Sequence, residues 1–253
     1  MVCGPIEWGG AYALIFFAGL SYLLPYPGIL STMTKRVLLS WSSGKDSAWA
    51  LHALRQTEDV EVVGLLTTTN QEFNRVAMHA VRQELLERQA AATGLPLLIA
   101  PLPWPCSNSD YERIMEKALS EAGERFAMTH VAFGDLFLED IRAYREAKLA
   151  GTGLTPLFPI WGQPTDELAA EMVEGGLRAI LTCVDPRRLD ASFAGRVFDR
   201  SLLNDLPSDV DPCGENGEFH TFAVAGPMFK EPIAVNHGEI VDRDGFVFAD
   251  LLG

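Results

Sequence analysis

Apolar positions along this chain recur with two periods, one near two residues and one near three and a half. From Arg36 onward, short apolar runs rich in β-branched residues give way to amphipathic stretches, an order that predicts strands and helices in turn. The strands are expected at Arg36–Ser40, Val60–Thr67, Leu95–Ala100 and His130–Phe133. The helices are expected at Ser47–Gln56, at Met78–Thr93 with Gly94 as its stop, at Asp110–Arg125 and at Leu138–Ala150. Alternation of this kind predicts an α/β fold built on a doubly wound parallel sheet.

After Gly151 and Gly153 the texture changes. Leu154–Trp161 carries two prolines and suits an edge or irregular strand. A short helix at Thr165–Gly175, with Thr165 as its cap, precedes a strand at Leu177–Val184. Short strands follow, with Asp244-Gly245 as a hairpin turn. The expected organisation is therefore a nucleotide-binding half at 35–150 and a smaller C-terminal α+β half at 151–253. The first 34 residues stand apart. Residues 8–34 carry no charge, but the apolar run Ala11–Leu24 is shorter than the roughly 20 residues of a membrane span, and Pro25, Pro27 and Gly28 break it. Glu7, rather than a Lys/Arg cluster, precedes it. The expectation is a dispensable leader or a mis-assigned start, with Met33 as the true beginning and no membrane anchor.

Composition narrows the function classes. With 20 basic against 34 acidic residues, a net charge of −14 disfavours nucleic acid as a partner, because broad phosphate capture needs many Lys and Arg. The four cysteines are scattered without a C-x-x-C, which argues against a zinc site and for reduced thiols in the cytoplasm.

Three clusters carry candidate chemistry. The first is Ser42-Ser43-Gly44-Lys45-Asp46-Ser47, between an expected strand and an expected helix. It is neither a Walker A loop nor a dinucleotide fingerprint. A helix start with small residues and hydroxyls suits a phosphate. Gly44 would permit positive φ or close backbone approach, Lys45 would neutralise charge, Asp46 would help hold Mg²⁺, and Asp46 and Ser47 would cap the helix. An ordinary well-capped turn would read the same way. The second cluster is Asp211–Thr221, with Cys213, Glu215, Glu218 and His220. Its carboxylates suit acid/base or metal chemistry and His220 a phosphate contact, but a polar loop before a strand fits equally well. The third is Gly134-Asp135 at a strand end, followed by Arg142 and Arg145 on one helix face: a ligand-binding edge, or a solvated face of ion pairs. His79 with Arg82, and Asn74-Arg75, form a weaker group that reads as solvated surface.

Taken together, the first cluster resembles the PP-loop (S-G-G-x-D-S) of N-type ATP pyrophosphatases. Gly134–Glu146 and GENGEFHT at 214–221 resemble the diphthine–ammonia ligase family of that superfamily, in its bacterial-type branch. The resemblance spans about residues 35 to 230. It implies an adenine nucleotide alpha-hydrolase-like (HUP-type) fold and an ATP-dependent, AMP-forming ligase that adenylates a carboxylate and amidates it with ammonia. It further implies that Ser42, Ser43, Gly44, Lys45, Asp46 and Ser47 hold pyrophosphate and Mg²⁺, with Lys45 and Asp46 catalytic. Gly64, Thr67 and Thr68 would lie near adenine and ribose, and Gly134 and Asp135 would border the adenylate. Arg142, Arg145, Glu215 and Thr221 would face the substrate, with Glu218 and His220 catalytic. Two departures stand out: Ser43 replaces a glycine of the motif, and Phe133–Asp140 differs from the family's G-A-I-x-S-x-Y-Q-R wording. ATP chemistry is therefore better supported than diphthine as acceptor. A PP-loop tRNA-modifying enzyme and a non-catalytic nucleotide sensor remain the alternatives, and a homo-oligomer stays open.

Overall fold

The computed structural model describes residues 12–17, 20–25, 34–76 and 81–253. Tyr12–Phe17 (β1) and Leu20–Pro25 (β2) pair antiparallel, Tyr12 opposite Pro25, in a unit of their own ending at Met33. No helix among the described residues is long and apolar enough to cross a membrane.

From Thr34 to Gly253 the chain forms one compact unit. Its larger sheet contains Lys35–Ser40 (β3), Val60–Asn70 (β4), Arg75–Val76 (β5), Leu97–Leu102 (β6), His130–Ala132 (β7) and Thr155–Leu157 (β8). The parallel strands run in the order β6-β4-β3-β7-β8, and the two-residue β5 pairs antiparallel with the end of β4. The first strand of this series thus lies at the centre, with the next two to one side and the last two to the other. That is the doubly wound order expected from the sequence, and it opens a crevice beyond the carboxyl ends of β3 and β7.

The helices are Lys45–Gln56 (α1), Gln83–Thr93 (α2), Asn108–Phe126 (α3) and Glu139–Leu149 (α4). The sheet is buried on both faces because its strands are apolar almost without interruption: Val37, Leu38 and Leu39 are all fully buried. Val37 and Leu39 pack with α1 and α2, while Leu38 packs with Ala118, Ala122 and Phe126 of α3. Gly64 belongs to that second layer. A Cβ there would come within 3.0 Å of the Phe126 ring, so the missing side chain makes room for α3.

The expected helix from Met78 begins instead at Gln83, residues 77–80 (His79 among them) lying outside the described ones. Thr165–Glu174 (α5) has Pro164 rather than Thr165 at its cap position. The proline-bearing edge strand expected in Leu154–Trp161 is β8, and it extends the parallel sheet past residue 150.

The second sheet is antiparallel. It holds Arg178–Val184 (β9), Val197–Phe198 (β10), Phe219–Ala225 (β11), Asn236–Arg243 (β12) and Phe246–Leu252 (β13), with β9 pairing β10, β11 and β13. Arg200–Asp205 (α6) follows β10. Asp244 and Gly245 both adopt positive φ, 54° and 79°, and join β12 to β13 as the two-residue turn their sequence predicts. One apolar cluster runs from Val37 and Trp49 through Met172 to Phe222 and Ala249, so both sheets share a core.

Asp250 on β13 ties the sheets at the surface. Its carboxylate accepts from Arg82 Nη2 (2.5 Å) and Arg75 Nη1 (2.8 Å). Partial burial opposes its ionisation, but the two guanidiniums hold its carboxyl down to about 2. A lowered acid contributes stability above the ordinary carboxylate range and loses it as pH falls towards 2. Asp250→Ala should lower the melting midpoint at pH 7 by about 3 °C, roughly 1 kcal/mol for a half-exposed pair. In thermal melts that deficit should shrink steadily below pH 4, and an undiminished deficit at pH 2 would contradict the ion-pair account.

Candidate active site

The cradle follows directly from the end of β3. Trp41 N donates to Leu66 O (2.8 Å), keeping the chain against β4 for one more residue. Ser43 then turns it with φ 70°, in the left-handed region, and Gly44 (φ −80°, ψ 172°) is the cap of α1. Of the two possibilities Gly44 permits, positive φ or close backbone approach, the first is not used there: the left-handed residue is one position earlier, on a side chain that pays roughly 1 kcal/mol for it. Nor do Asp46 and Ser47 cap the helix. They lie in its first turn, where Ser47 Oγ donates back to Gly44 O (3.0 Å). The amides of Asp46 and Ser47 therefore have no acceptor within the helix. Ser42 Oγ accepts from Gly44 N (3.3 Å) and donates to Ser47 Oγ (3.2 Å), which closes the cradle. Gly134, beyond β7, abuts this turn, and a Cβ on it would come within 3.0 Å of both Asp46 C and Ser47 N.

A cavity of about 470 Å³ opens above the cradle. Its walls bring together Ser42, Lys45, Asp46, Ser47, Thr67, Thr68, Gly134, Asp135, Arg145, Glu215, His220 and Thr221, all expected at the site. Five other expected residues do not line it. Ser43 and Gly44 shape the turn from behind, and Gly64 lies within the sheet. Arg142 is drawn outward: its guanidinium is stacked between Phe158 and Trp161 (4.9 and 4.8 Å) and paired with Glu146 at 2.8 Å. Glu218 is turned inward, its Oε1 accepting from Asp211 N (3.3 Å) and Asn216 Nδ2 (3.2 Å). Arg142 and Glu218 are thus corrected from cavity-facing groups to groups that pack α4 and the loop before β11.

The electrostatics centre on Lys45, whose side chain is only 2% exposed. Its ammonium donates to both oxygens of Asp46 (2.8 and 2.9 Å) and to the Cys213 carbonyl, and lies over the rings of Phe198 and Phe219. Burial alone would lower its pKa, but the Asp46 carboxylate, helped by Glu215, raises it above the ordinary lysine range. Lys45 N donates to Thr221 Oγ1 (3.0 Å), so the same residue binds the C-terminal sheet through its backbone.

Burial pushes the Glu215 carboxyl up to about 7, against a hydrogen bond from Leu136 N (2.8 Å) and with Asp46 adding to the rise. Burial also raises Asp135, offset by Arg145 at 3.5 Å. Asp135 Oδ2 and Arg145 Nε face each other at that distance and make no other polar contact, so they form one ion pair on the cavity wall. Cys213 donates to Thr165 O (3.4 Å), and burial pushes its thiol well above the usual range, so it is no thiolate nucleophile.

Other wall residues had weaker signals. Tyr111, Met115 and Leu119 line the cavity from α3, each four residues from the next and so on one face of the helix. Gln89 on α2 is fully buried: Trp41 Nε1 donates to its Oε1 (2.7 Å), and its Nε2 donates to Ser43 O (3.0 Å) and Ala223 O (2.7 Å). A polar residue among Leu85, Leu86 and Ala90 was its only mark in the sequence.

A doubly wound sheet with an anion cradle and a cavity at its central crevice defines a nucleotide-binding α/β domain of the HUP type, followed here by a smaller domain. The chain belongs to the diphthamide synthase family: residues 35–150 match the diphthamide synthase N-terminal domain and residues 164–249 its C-terminal domain. Among curated relatives it is 26% identical over 235 residues to the diphthine–ammonia ligase of Bos taurus (85% of this chain, 88% of the relative). It is 25% identical to that of Homo sapiens over the same shares, and 26% identical to that of Danio rerio over 85% of this chain and 91% of the relative.

Two outcomes follow from this geometry. Ser43→Gly removes a left-handed serine and a buried hydroxyl that has no partner, and should stabilise the protein by about 1 kcal/mol in denaturant unfolding; a lower midpoint would refute the strain. A raised acid favours the folded state below its unfolded pKa and loses that contribution as pH climbs to about 7. Without nucleotide, Glu215→Gln should therefore melt near the wild-type temperature at pH 5 and above it at pH 8, whereas an equal offset at both pH values would show that Glu215 does not titrate between them.

Proposed function

We propose that the chain is an ATP-dependent, AMP-forming ligase that activates a carboxylate as its adenylate and converts it to an amide, with ammonia as nitrogen donor. One observation carries the reading: a cradle with two free first-turn amides faces, across one cavity, a carboxyl whose pKa lies near 7. The relatives' printed name, diphthine–ammonia ligase, supports the nitrogen donor. The Phe133–Asp140 departure is the reason to leave the acceptor as a carboxylate rather than diphthine itself.

In the first step an acceptor carboxylate oxygen attacks the α-phosphorus of ATP. The bond from that phosphorus to the β-bridging oxygen breaks, and pyrophosphate leaves. The Asp46 and Ser47 amides and the Ser42 and Ser47 hydroxyls receive the pyrophosphate. Lys45 works from behind, fixing Asp46 rather than reaching the phosphates itself. Asp46 and Asp135, two carboxylates on the wall of one cavity, fit a Mg²⁺ ion, which is commonly held by one or two carboxylates plus substrate phosphates. The ion would supply charge neutralisation at the phosphates. In the second step the nitrogen lone pair attacks the acyl carbon, the bond to the adenylate oxygen breaks, and AMP leaves. Glu215, poised near neutrality and lining the same cavity, takes the proton released from nitrogen. His220 and Arg145 flank the adenylate. The described cysteines are free thiols, which fits a cytoplasmic enzyme.

The test is incubation with Mg-ATP, ammonium and a panel of carboxylates that includes a diphthine peptide. AMP and pyrophosphate should form in equal amounts, and Asp46→Ala should abolish them, whereas ADP and phosphate as the only products would reject the class.

A further inference from the structure

We infer that Gln89 is a positioning residue for the phosphate cradle, acting through the backbone of Ser43. The inference rests on the proposed reading of Ser42–Ser47 as a pyrophosphate site. Ser43 holds the turn in a left-handed conformation that a non-glycine residue disfavours, so something outside the loop must hold it there. Its side chain cannot, because the Oγ is buried without a partner. Its carbonyl is gripped twice: Gln89 Nε2 donates to it at 3.0 Å and Ala223 N at 3.0 Å. That carbonyl belongs to the peptide plane that also carries the Gly44 amide. Fixing the oxygen fixes the direction of the amide, and with it the entry into α1.

The amide of Gln89 is itself fixed. Trp41 Nε1 can only donate, so the oxygen of the Gln89 side chain must face Trp41 and its NH₂ must face the two carbonyls. The second of these, Ala223 O at 2.7 Å, belongs to β11, the strand that carries His220 and Thr221. One buried side chain on α2 therefore ties the cradle to the opposite wall of the cavity, although Gln89 does not itself line that cavity. Both hydrogens of its NH₂ are thus spent on carbonyls that bound the site, one in the cradle turn and one on β11.

The experiment measures pyrophosphate and adenosine binding separately by calorimetry, on wild type, Gln89→Met and Gln89→Glu. Gln89→Glu keeps the acceptor for Trp41, loses the two donated bonds and sets a carboxyl oxygen against the Ser43 and Ala223 carbonyls, so it probes the same contacts by a second route if the methionine variant does not fold. The expected result is pyrophosphate affinity reduced about tenfold or more, the scale of one or two lost buried hydrogen bonds, with adenosine affinity unchanged within about twofold. Steady-state assays with ATP should then show KM rising more than kcat falls. Pyrophosphate bound as tightly by both variants as by wild type would overturn the role of Gln89. Equal loss of both ligands would also overturn it, in favour of a purely structural residue. A wild-type protein that binds neither pyrophosphate nor ATP would instead overturn the nucleotide reading on which the inference rests.

Discussion

The buried ammonium of Lys45 is the interaction on which the rest of the site depends. A charge this far from water is tolerated only when it is paired and hydrogen-bonded, and each of its partners comes from a different part of the chain. Asp46 is its neighbour in the first turn of α1, the Cys213 carbonyl belongs to the loop before β11, and Phe198 and Phe219 bring in β10 and β11. The cation thus converts an electrostatic necessity into geometry. The loop bearing Cys213 and Glu215, and the start of β11 that follows it, must lie over the cradle, or the charge is left uncompensated. This also explains why the enclosing Cys213 thiol is chemically quiet, since its burial serves the packing around Lys45 rather than reactivity.

Around that cation the cradle is held against its own preferences. Ser43 is strained, Gly134 leaves no space for a methyl group beside Asp46, and the Asp46 and Ser47 amides are kept free of a cap from the residue at the helix start. A turn built for stability alone would place glycine at the left-handed position and a capping side chain at the helix start. Here the cap position is a glycine and the left-handed position a serine, the reverse arrangement, so the amides stay open at the cost of local stability. Strain of this kind persists where the surroundings over-determine it, which here means Ala223 and Gln89 on one carbonyl.

Much of this was legible in the sequence, for physical reasons. The strands at the centre of the larger sheet are apolar on both faces, so their order and their intervening helices stand out from the polar loops. The clusters at Ser42–Ser47, Gly134-Asp135 and Asp211–Thr221 concentrate small and titratable residues where strands end, and those ends converge at the crevice. What could not be read was direction within a cluster. Arg142 and Arg145 share a helix face, yet Arg142 is pulled away by two aromatic rings that follow β7 and α4 at a distance in sequence. Gln89 gave almost no signal, since its role depends on three partners separated from it by 46 to 134 residues. The residue of positive φ could not be read from the sequence, because glycine's permissiveness is not an obligation, and the neighbouring serine takes the turn.

The same limit applies to the two glutamates of the C-terminal loop, and the structure resolves it through Asp211. Asp211 N donates to Glu218 Oε1, while Asp211 Oδ2 accepts from Glu215 N at 2.7 Å. One aspartate therefore anchors both ends of a short reversal, in which Gly214 and Gly217 take positive φ (69° and 87°). The reversal turns Glu218 inward, where its carboxylate holds the loop together. It turns Glu215 outward into the cavity beside Asp46, Asp135 and Lys45, where burial and neighbouring negative charge raise its pKa to about 7. Two identical side chains three residues apart thus divide the work, one fixing the loop and the other holding a proton near neutrality on the cavity wall. The division follows from backbone direction and not from the identity of the residues, so either glutamate would suit either task if the turn between them were reversed.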